Sequence, residues 1–435
     1  MPKLTIVGAG SFVFARRLIT DMLTFPALRD STITLMDVNE DKLRVMEQLA
    51  RRMVEQENTG ARIESTTDLR AACEGADYVA TAIRVGDSRH NTQIPDKYGI
   101  SYGIGDTSGI SGVFYFLYNA PAMLEIARTM ESVCPDALLL NYTNPMTMLC
   151  WTINELTRVK YVGLCHSVQG TAMQLASYIQ KPFEEIAYRV AGINHMAWFL
   201  DFCWQGQDAY PLLWEAMQKT EVYERDVVRW ELMKYFGAFI TESSIHNSEY
   251  NAYFRRTPEL SERYLNEKMW GVSPKGWTRE DRYAHWARQR EAQDAENRRL
   301  AAGPEAIPVE RSHEYFSRIL NAMETNIPYV FNGNVQNHQL ITNLPGECVV
   351  EVPIMVDGTG LHPCYIGALP PALAGYDRMN LNVIELAVRA FVDQDRKYVY
   401  QAAQMDPLVY SQLSLPDIRK MVDEMFVADQ NLIAF

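Results

Sequence analysis

The chain has 435 residues, of which 47% are hydrophobic, and carries 41 basic and 54 acidic side chains for a formal net charge of −13. This acidity repels polyanions and leaves no cationic surface for DNA, RNA or anionic lipid. No apolar run approaches the roughly 18 residues of a membrane span, and the first residues show no cleavable signal pattern. Seven scattered cysteines do not suggest a disulfide framework. We therefore expect a soluble, cytoplasmic protein with neither nucleic-acid nor membrane partners.

The first part of the chain alternates short apolar runs with stretches that can form helices. The apolar runs predict strands buried on both faces of a sheet, at 3–7, 32–37, 77–83, 137–142 and 159–164. Helices are predicted at 12–23, 39–57, 120–132 and 171–179, with Asn39 available as a cap. This order predicts an α/β fold with a Rossmann-like doubly wound parallel sheet.

The composition changes after Trp198, where Trp, Tyr and charged residues become frequent. A strand is predicted at 349–354, and helices at 278–300, 381–391 and 415–426. The first of these helices is charged enough to be largely solvated. We therefore expect a Rossmann-like domain over 1–190 and an α+β domain over 191–435.

A glycine pair follows the first predicted strand. Gly8 and Gly10, with Ser11 before the next helix, permit a tight turn that brings backbone amides close to a pyrophosphate. The third glycine of the usual pattern is absent, and Gly-x-Gly also occurs in ordinary turns. Asp37 ends the next strand, where a carboxylate binds ribose hydroxyls and repels a 2′-phosphate. The alternative for Asp37 is a capping or turn residue, but the combination favours NAD over NADP.

Three polar clusters follow later strand or turn signals, at 141–145, 163–168 and 192–196. Cys165 and His195 stand in the second and third clusters. A thiolate and an imidazole suit a transition metal ion better than magnesium, so the two residues are candidate ligands of one divalent ion. Taken singly, a buried Cys or His is more commonly a packing residue.

Several longer motifs point to one family. They stand at 8–11, 141–146, 165–171, 191–196, 241–244, 249–250, 333–335 and 343–345. With these motifs the sequence resembles glycoside hydrolase family 4, the NAD- and metal-dependent glycosidases, from Lys3 to the C-terminal helix. The Cys-His-Ser-Val run at 165–168 looks like the α-galactosidase branch, whereas Asp or Asn after the cysteine marks the 6-phosphoglycosidases.

The resemblance implies hydrolysis of an unphosphorylated α-glycoside, with an α-galactoside such as melibiose as the leading candidate. The family mechanism is a redox elimination rather than a two-carboxylate reaction. NAD would oxidise the hydroxyl at C3, a metal ion on Cys165 and His195 would polarise the ketone, and a base would remove the C2 proton. The glycosidic oxygen would then leave, water would add, and NADH would return the hydride.

The resemblance also assigns roles to single residues. Tyr250 aligns with the base, and a tyrosine can serve if metal or cationic neighbours lower its pKa. His166 stands where the leaving-group acid or a substrate-binding residue falls, and Asn144 where a contact with a sugar hydroxyl or with a metal-bound water is expected. Arg84 is a candidate contact of substrate or of the nicotinamide phosphate. The alternatives are a packing aromatic for Tyr250 and a surface ion pair for Arg84.

Further implications of the resemblance are coarser. The fold would belong to the lactate and malate dehydrogenase-like superfamily. The first domain would bind NAD. The second would bind substrate and a metal ion, which the resemblance implies is Mn²⁺, and it would mediate a homodimer or homotetramer. Asp106 and His246 are weaker site candidates.

The chain departs from the family at 108–119, where aromatic residues replace a Gly-Pro-Gly-Gly turn and an arginine-rich helix start. We expect these aromatics near the mouth of the active site. The basic cluster of Arg84, Arg89, His90 and Lys97 suits an anionic glycone, which leaves α-galacturonidase and NAD-dependent sulfoquinovosidase as alternatives. It can also be a solvated charged face.

Two readings from other classes stay open. A net NAD-dependent dehydrogenase would use His195 as its proton carrier, although it gives Cys165 no role. A non-catalytic NAD-binding sensor would need neither residue.

Overall fold

The computed structural model describes residues 1–86, 89–272, 274, 277–433 and 435, without the side chains of residues 12, 13 and 279. In this part of the chain the strands are β1 (Lys3–Val7), β2 (Thr32–Met36), β3 (Arg62–Thr66), β4 (Tyr78–Thr81), β5 (Leu138–Asn141), β6 (Lys160–Gly163), β7 (Ile186–Ile193), β8 (Met196–Trp204), β9 (Gln207–Asp208), β10 (Phe239–Ile240), β11 (Tyr329–Gln336), β12 (Val349–Asp357) and β13 (Gly360–Pro363).

The helices of the same part are α1 (Phe12–Thr24), α2 (Glu40–Gln56), α3 (Leu69–Cys73), α4 (His90–Lys97), α5 (Gly109–Val133), α6 (Met146–Leu156), α7 (Ser167–Tyr178), α8 (Tyr210–Met217), α9 (Thr220–Tyr223), α10 (Val227–Phe236), α11 (Ser244–Asn247), α12 (Pro258–Tyr264), α13 (Arg279–Ala302), α14 (Tyr315–Thr325), α15 (Pro371–Val392), α16 (Lys397–Met405), α17 (Pro407–Tyr410) and α18 (Leu415–Ala428). A 3₁₀ turn covers Phe183–Glu185.

Six parallel strands form the nucleotide-binding half of the sheet in the order β3-β2-β1-β4-β5-β6. This is the strand order of a Rossmann fold, so the predicted fold class is confirmed. The strand order reverses between β1 and β4, and in such sheets ligands bind beside the carboxyl ends of the strands at this point. Asn39 caps α2 as expected, because its side chain accepts a hydrogen bond from Lys42 N.

The sheet continues past β6 through antiparallel pairs in the order β11, β12, β7, β8 and β10, with β13 on β12 and β9 on β8. Two of these pairings are each fixed at a single residue pair, Gly163 with Asn334 and Glu351 with Gly192. Strands from both parts of the chain therefore belong to one sheet, and residue 190 falls within β7. The division into domains at 1–190 and 191–435 stays a prediction.

Phe114 and Phe116 of the aromatic run lie in the core, so the expectation that the run borders the active-site mouth was wrong for these two residues, whereas the ring of Tyr115 lies 6.0 Å from the Arg84 guanidinium. The ring of Phe114 packs against Phe426 of α18 at 5.1 Å, and that of Phe116 against Phe391 of α15 at 5.8 Å. The physical reason is that α5 is a long helix enclosed by other helices, so these side chains bury apolar surface there.

Among the described residues, no helix has the length and apolarity to cross a bilayer.

Candidate functional site

The glycine turn after β1 is built for close backbone approach. Gly8 has φ +90°, and a Cβ there would lie 2.5 Å from the backbone oxygen of Ala82, just after β4. The carboxylate of Asp37 accepts hydrogen bonds from Gly10 N at 2.7 Å and from Asn39 N at 2.9 Å. Asp37 is thus a turn-stabilising residue in this structure, and it stands beside the expected pyrophosphate turn. Ser11, at the start of α1, has no capping hydrogen bond from its side chain.

Three side chains form the candidate metal centre. The ligand atoms of Cys165, His195 and Glu242 all lie within 4.8 Å of one another. Cys165 follows β6, His195 stands in the tight turn between β7 and β8, and Glu242 follows β10. The sequence predicted the first two as partners, and the structure brings them together. The sequence did not predict Glu242 as a candidate ligand.

The backbone at two of these residues is unusual. His195 has φ +65° and Glu242 has φ +70°, a left-handed conformation that is uncommon for residues other than glycine. Such conformations cost of order 1–3 kcal/mol and persist where the surroundings impose them. Thr241 supplies part of that restraint, because its N–H donates to Ala197 O at 2.8 Å and its hydroxyl accepts from Ala197 N at 3.1 Å.

The ring of His195 is oriented by hydroxyl groups. Its Nδ1 lies 3.0 Å from Thr107 Oγ1 and 3.2 Å from the Tyr250 hydroxyl, while Nε2 lies 3.6 Å from Glu242 Oε2. Because the Thr107 hydroxyl donates its own proton to Asp106 Oδ1 at 2.9 Å, it accepts from Nδ1–H. This arrangement leaves the Nε2 lone pair facing the other two candidate ligands.

The two weaker candidates join the same cluster. His246 Nε2 lies 3.6 Å from Asp106 Oδ1, and its Nδ1 lies 3.2 Å from Glu242 Oε1. Burial lowers the pKa of His246, but the charges of Glu242 and Asp106 outweigh it and the net pKa is raised. For Asp106 burial raises the pKa, but the hydrogen bond and charge of His246 bring it to about 2. Asp106 is therefore ionised at neutral pH.

Tyr250 is buried with its hydroxyl at His195. Burial, together with the negative charges of Asp106, Glu242 and Glu249, raises its pKa well above the ordinary tyrosine value. The protein's own side chains therefore work against the lowered pKa that a base requires. Lowering it needs an additional positive charge in this cluster.

His166 follows the candidate ligand Cys165 directly in the chain, with about half of its side chain exposed. Its Nε2 is 2.6 Å from Oε1 of the buried Glu314, which also pairs with Arg17 at 3.0 Å. Burial lowers the pKa of His166, but Glu314 outweighs it and the net pKa is raised. His166 and Glu242 both line a cavity of about 500 Å³.

Asn144 and Arg84 follow β5 and β4 respectively. The Asn144 Oδ1 atom is buried and has no hydrogen-bond partner among the described residues. Arg84 lines a second cavity, of about 660 Å³, together with Asp106 and His246. The structure thus places Arg84 beside the cluster.

The predicted basic cluster holds together only in part. Arg84 and Arg89 line the 660 Å³ cavity, whereas Lys97, at the far end of α4, pairs with Glu424 of α18. The reason is that a helix separates the ends of the segment. Lys97 is therefore corrected to a surface ion pair.

A buried polar row crosses the sheet beneath the centre. It consists of Gly163, Asn334, Glu351 and Gly192 on β6, β11, β12 and β7. Glu351 is 0% exposed, and neither carboxylate oxygen has a hydrogen-bond partner among the described residues. Burial, reinforced by the charge of Cys165, raises its pKa well above the usual range. An acid inside the apolar run at 349–354 was the available signal, and sequence reasoning missed it.

Comparisons with known proteins agree with this geometry. The family 4 glycosyl hydrolase profile matches residues 3–181, and the profile of the family 4 C-terminal domain matches residues 190–409. An alpha-galactosidase of Bacillus subtilis (strain 168) is 39% identical over 98% of both chains. An alpha-galactosidase of Rhizobium meliloti (strain 1021) is 35% identical over 98% of this chain and 88% of its own. An alpha-galacturonidase of Lachnoclostridium phytofermentans is 26% identical over 98% of this chain and 95% of its own.

Solved structures with lower identity share the fold. A 6-phospho-alpha-glucosidase from gut microorganisms, in complex with NAD and Mn²⁺, has a TM-score of 0.83 at 18% identity over 99% of both chains. A 6-phospho-beta glucosidase of Thermotoga maritima, with manganese, NAD⁺ and glucose-6-phosphate, has a TM-score of 0.81 at 17% identity over the whole of both chains. Malate dehydrogenase of Plasmodium falciparum has a TM-score of 0.53 at 11% identity, covering 93% of this chain and 100% of its own.

Proposed function

The chain belongs to glycosyl hydrolase family 4, and from this membership we propose that it is an α-galactosidase that uses NAD and a divalent metal ion, Mn²⁺. The observation that carries the proposal is the meeting of Cys165, His195 and Glu242 within 4.8 Å at the carboxyl edge of a Rossmann sheet. The relatives at 39% and 35% identity, both named alpha-galactosidase, support the substrate.

NAD fits the turn formed by Gly8, Gly10 and Ser11. The space that a Cβ at Gly8 would fill is already taken by backbone, so the turn has the tight shape that close approach to a pyrophosphate requires. Asp37 would exchange its bond from Gly10 for the ribose hydroxyls. When bound, NAD supplies reversible hydride transfer at the sugar.

A divalent ion fits the three donors at the centre. A thiol, an imidazole and a carboxylate are a donor set for a transition ion, and three protein ligands leave positions open for substrate. When bound, the ion supplies a Lewis acid at a carbonyl oxygen and positive charge beside Tyr250. Thr107 keeps the proton of His195 on Nδ1, so that Nε2 is the nitrogen left for the ion.

The remaining side chains position substrate and move protons. Tyr250, whose hydroxyl lies 3.2 Å from His195 Nδ1, would accept the proton of the sugar. His166, whose pKa is raised by Glu314, would donate a proton to the leaving oxygen. Asn144 and Arg84 would contact sugar hydroxyls.

The test is hydrolysis of nitrophenyl α-galactoside with NAD, Mn²⁺ and a thiol reductant. We expect turnover that is lost on chelation or on omission of NAD, and lost in Cys165→Ser but not in Cys203→Ser, a control at a free cysteine on β8. Sugar release without NAD or metal would contradict the proposal. Accumulation of NADH in proportion to substrate would favour a net dehydrogenase instead.

An α-galacturonidase is the second candidate, favoured by Arg84 and Arg89 of the predicted basic cluster, which both line the 660 Å³ cavity. The relative at 26% identity named alpha-galacturonidase supports it as well. A higher kcat/KM for nitrophenyl α-galacturonide than for the α-galactoside would select this candidate. A sulfoquinovoside tested in parallel covers the other anionic sugar.

We also propose a homodimer or homotetramer in the cytoplasm. All seven cysteines are free, which supports a reducing compartment, and the family resemblance supports the oligomer. Light scattering after size-exclusion chromatography measures the subunit number, and a monomer would contradict that part.

A further inference from the structure

A cavity of about 660 Å³ extends from the candidate centre to the protein surface. Asp106 and His246 line its inner part, and both belong to the cluster around Glu242. Trp270 and Trp286 line it as well, with 64% and 49% of their surface exposed. The cavity is within the range of about 300–1,000 Å³ that ligand pockets occupy.

One face of α13 forms a wall of this cavity. Arg282, Trp286 and Arg290 follow one another at four-residue intervals, so they lie on the same side of the helix, and all three line the cavity. The helix starts with a capping box between Thr278 and Asp281. The stretch expected to be largely solvated therefore also contributes to the site.

The second tryptophan is placed by the cluster itself. The ring of Trp270 lies parallel to that of His246, with an interplanar angle of 7° and a centroid distance of 6.4 Å. Trp270 also lines the 500 Å³ cavity on the side of Glu242 and His166, so it borders both spaces next to the centre. Both indole rings therefore leave surface open to a ligand in the cavity.

The chemistry of these groups suits a pyranose ring. Indole faces pack against the apolar C–H faces of a sugar while its hydroxyls stay in water, and guanidinium groups offer forked donors to hydroxyl oxygens. We propose that Trp286, Trp270 and Arg290 form a subsite for the leaving sugar of a galactosyl disaccharide. The inference rests on the proposed α-galactosidase function.

The test compares two substrates that differ in the leaving group only, melibiose and methyl α-galactoside. In Trp286→Ala and in Arg290→Ala we expect kcat/KM for melibiose to fall about tenfold, with the value for methyl α-galactoside unchanged. Trp286→Phe should keep most of the melibiose activity. Trp214→Ala, on α8 and 36% exposed, is the matched control and should change neither value.

Equal losses on both substrates in Trp286→Ala, or no loss on either, would overturn the subsite. A change of oligomeric state in Trp286→Ala on size-exclusion chromatography would also overturn it, because the tryptophan would then serve a subunit contact. Failure of the wild-type protein to cleave either substrate would instead contradict the α-galactosidase function itself.

Discussion

Two hydroxyl groups share one ring nitrogen of His195, and removing them singly and together tests how the metal centre is oriented. Nδ1 lies 3.0 Å from Thr107 Oγ1 and 3.2 Å from the Tyr250 hydroxyl. With Nε2 left for the metal ion, Nδ1 carries the proton and has a choice of two acceptors. Either acceptor alone can then hold the ring.

The size of the effect follows from this redundancy. Thr107→Val or Tyr250→Phe leaves one acceptor, so each variant should bind Mn²⁺ no more than about tenfold less tightly. The double variant leaves a buried N–H without an acceptor, which costs about 1–3 kcal/mol and corresponds to a loss of roughly 5- to 150-fold. The double variant should therefore lose more affinity than either single variant.

Calorimetric titration of the metal-stripped protein with Mn²⁺, in the presence of NAD, measures these affinities without requiring turnover. Thr152→Val is the matched control, because its buried hydroxyl donates to Met148 O within α6. If a single variant already lost about 100-fold, or if the double variant bound as tightly as the singles, orientation of His195 through Nδ1 would be refuted.

Three further variants test other parts of the molecule. Gly8→Ala should lose about 2 kcal/mol or more of unfolding free energy in urea titrations, because φ is +90° and the new Cβ would lie 2.5 Å from a backbone oxygen. Gly170→Ala is the control, because Gly170 lies on α7 with open space around it. This control should gain up to about 1 kcal/mol of unfolding free energy. Glu314→Gln removes the charge that raises the pKa of His166, so the alkaline limb of the pH–rate profile should move to lower pH, and an unmoved limb would exclude His166 as the acid. Glu351 has a raised pKa, so the folded protein loses stability as the pH rises above the unfolded-state pKa of glutamate. Glu351→Gln should remove this fall of unfolding free energy with pH in titrations of the metal-free protein. An identical pH dependence in the variant would contradict the assignment.

The central strands were predictable because both of their faces are buried. Continuous apolar runs identified the strand at Lys3–Val7 and the cores of the others in the parallel half. The edge strand Arg62–Thr66 was missed, because only Ile63 is buried in it and its other four residues are exposed or half-buried. Hydrophobic periodicity predicts a strand only where several residues share a buried face, and this strand has a single buried residue.

The centre was predictable in part for a chemical reason. Cys165 and His195 are rare residue types in a polar turn context, whereas Glu242 is one of 54 acidic residues and carries no distinguishing type. Its role depends on φ +70° after a strand of two residues, Phe239–Ile240. Side-chain patterns do not encode such a backbone conformation, and only the pairing of that short strand with β8 brings the carboxylate to the centre.

The polar row explains how ligands from distant strands meet. Neighbouring strands are about 4.8 Å apart, so Gly163 and Gly192, separated by β11 and β12, stand roughly 14 Å apart. The chain after each glycine must therefore turn inward over Asn334 and Glu351 for Cys165 and His195 to bring their donor atoms within 4.8 Å. A shift of either pairing by one residue would reverse the faces and separate the donors. Burying Glu351 there works against stability, as expected where an interior is shaped for a charged ligand rather than for packing alone.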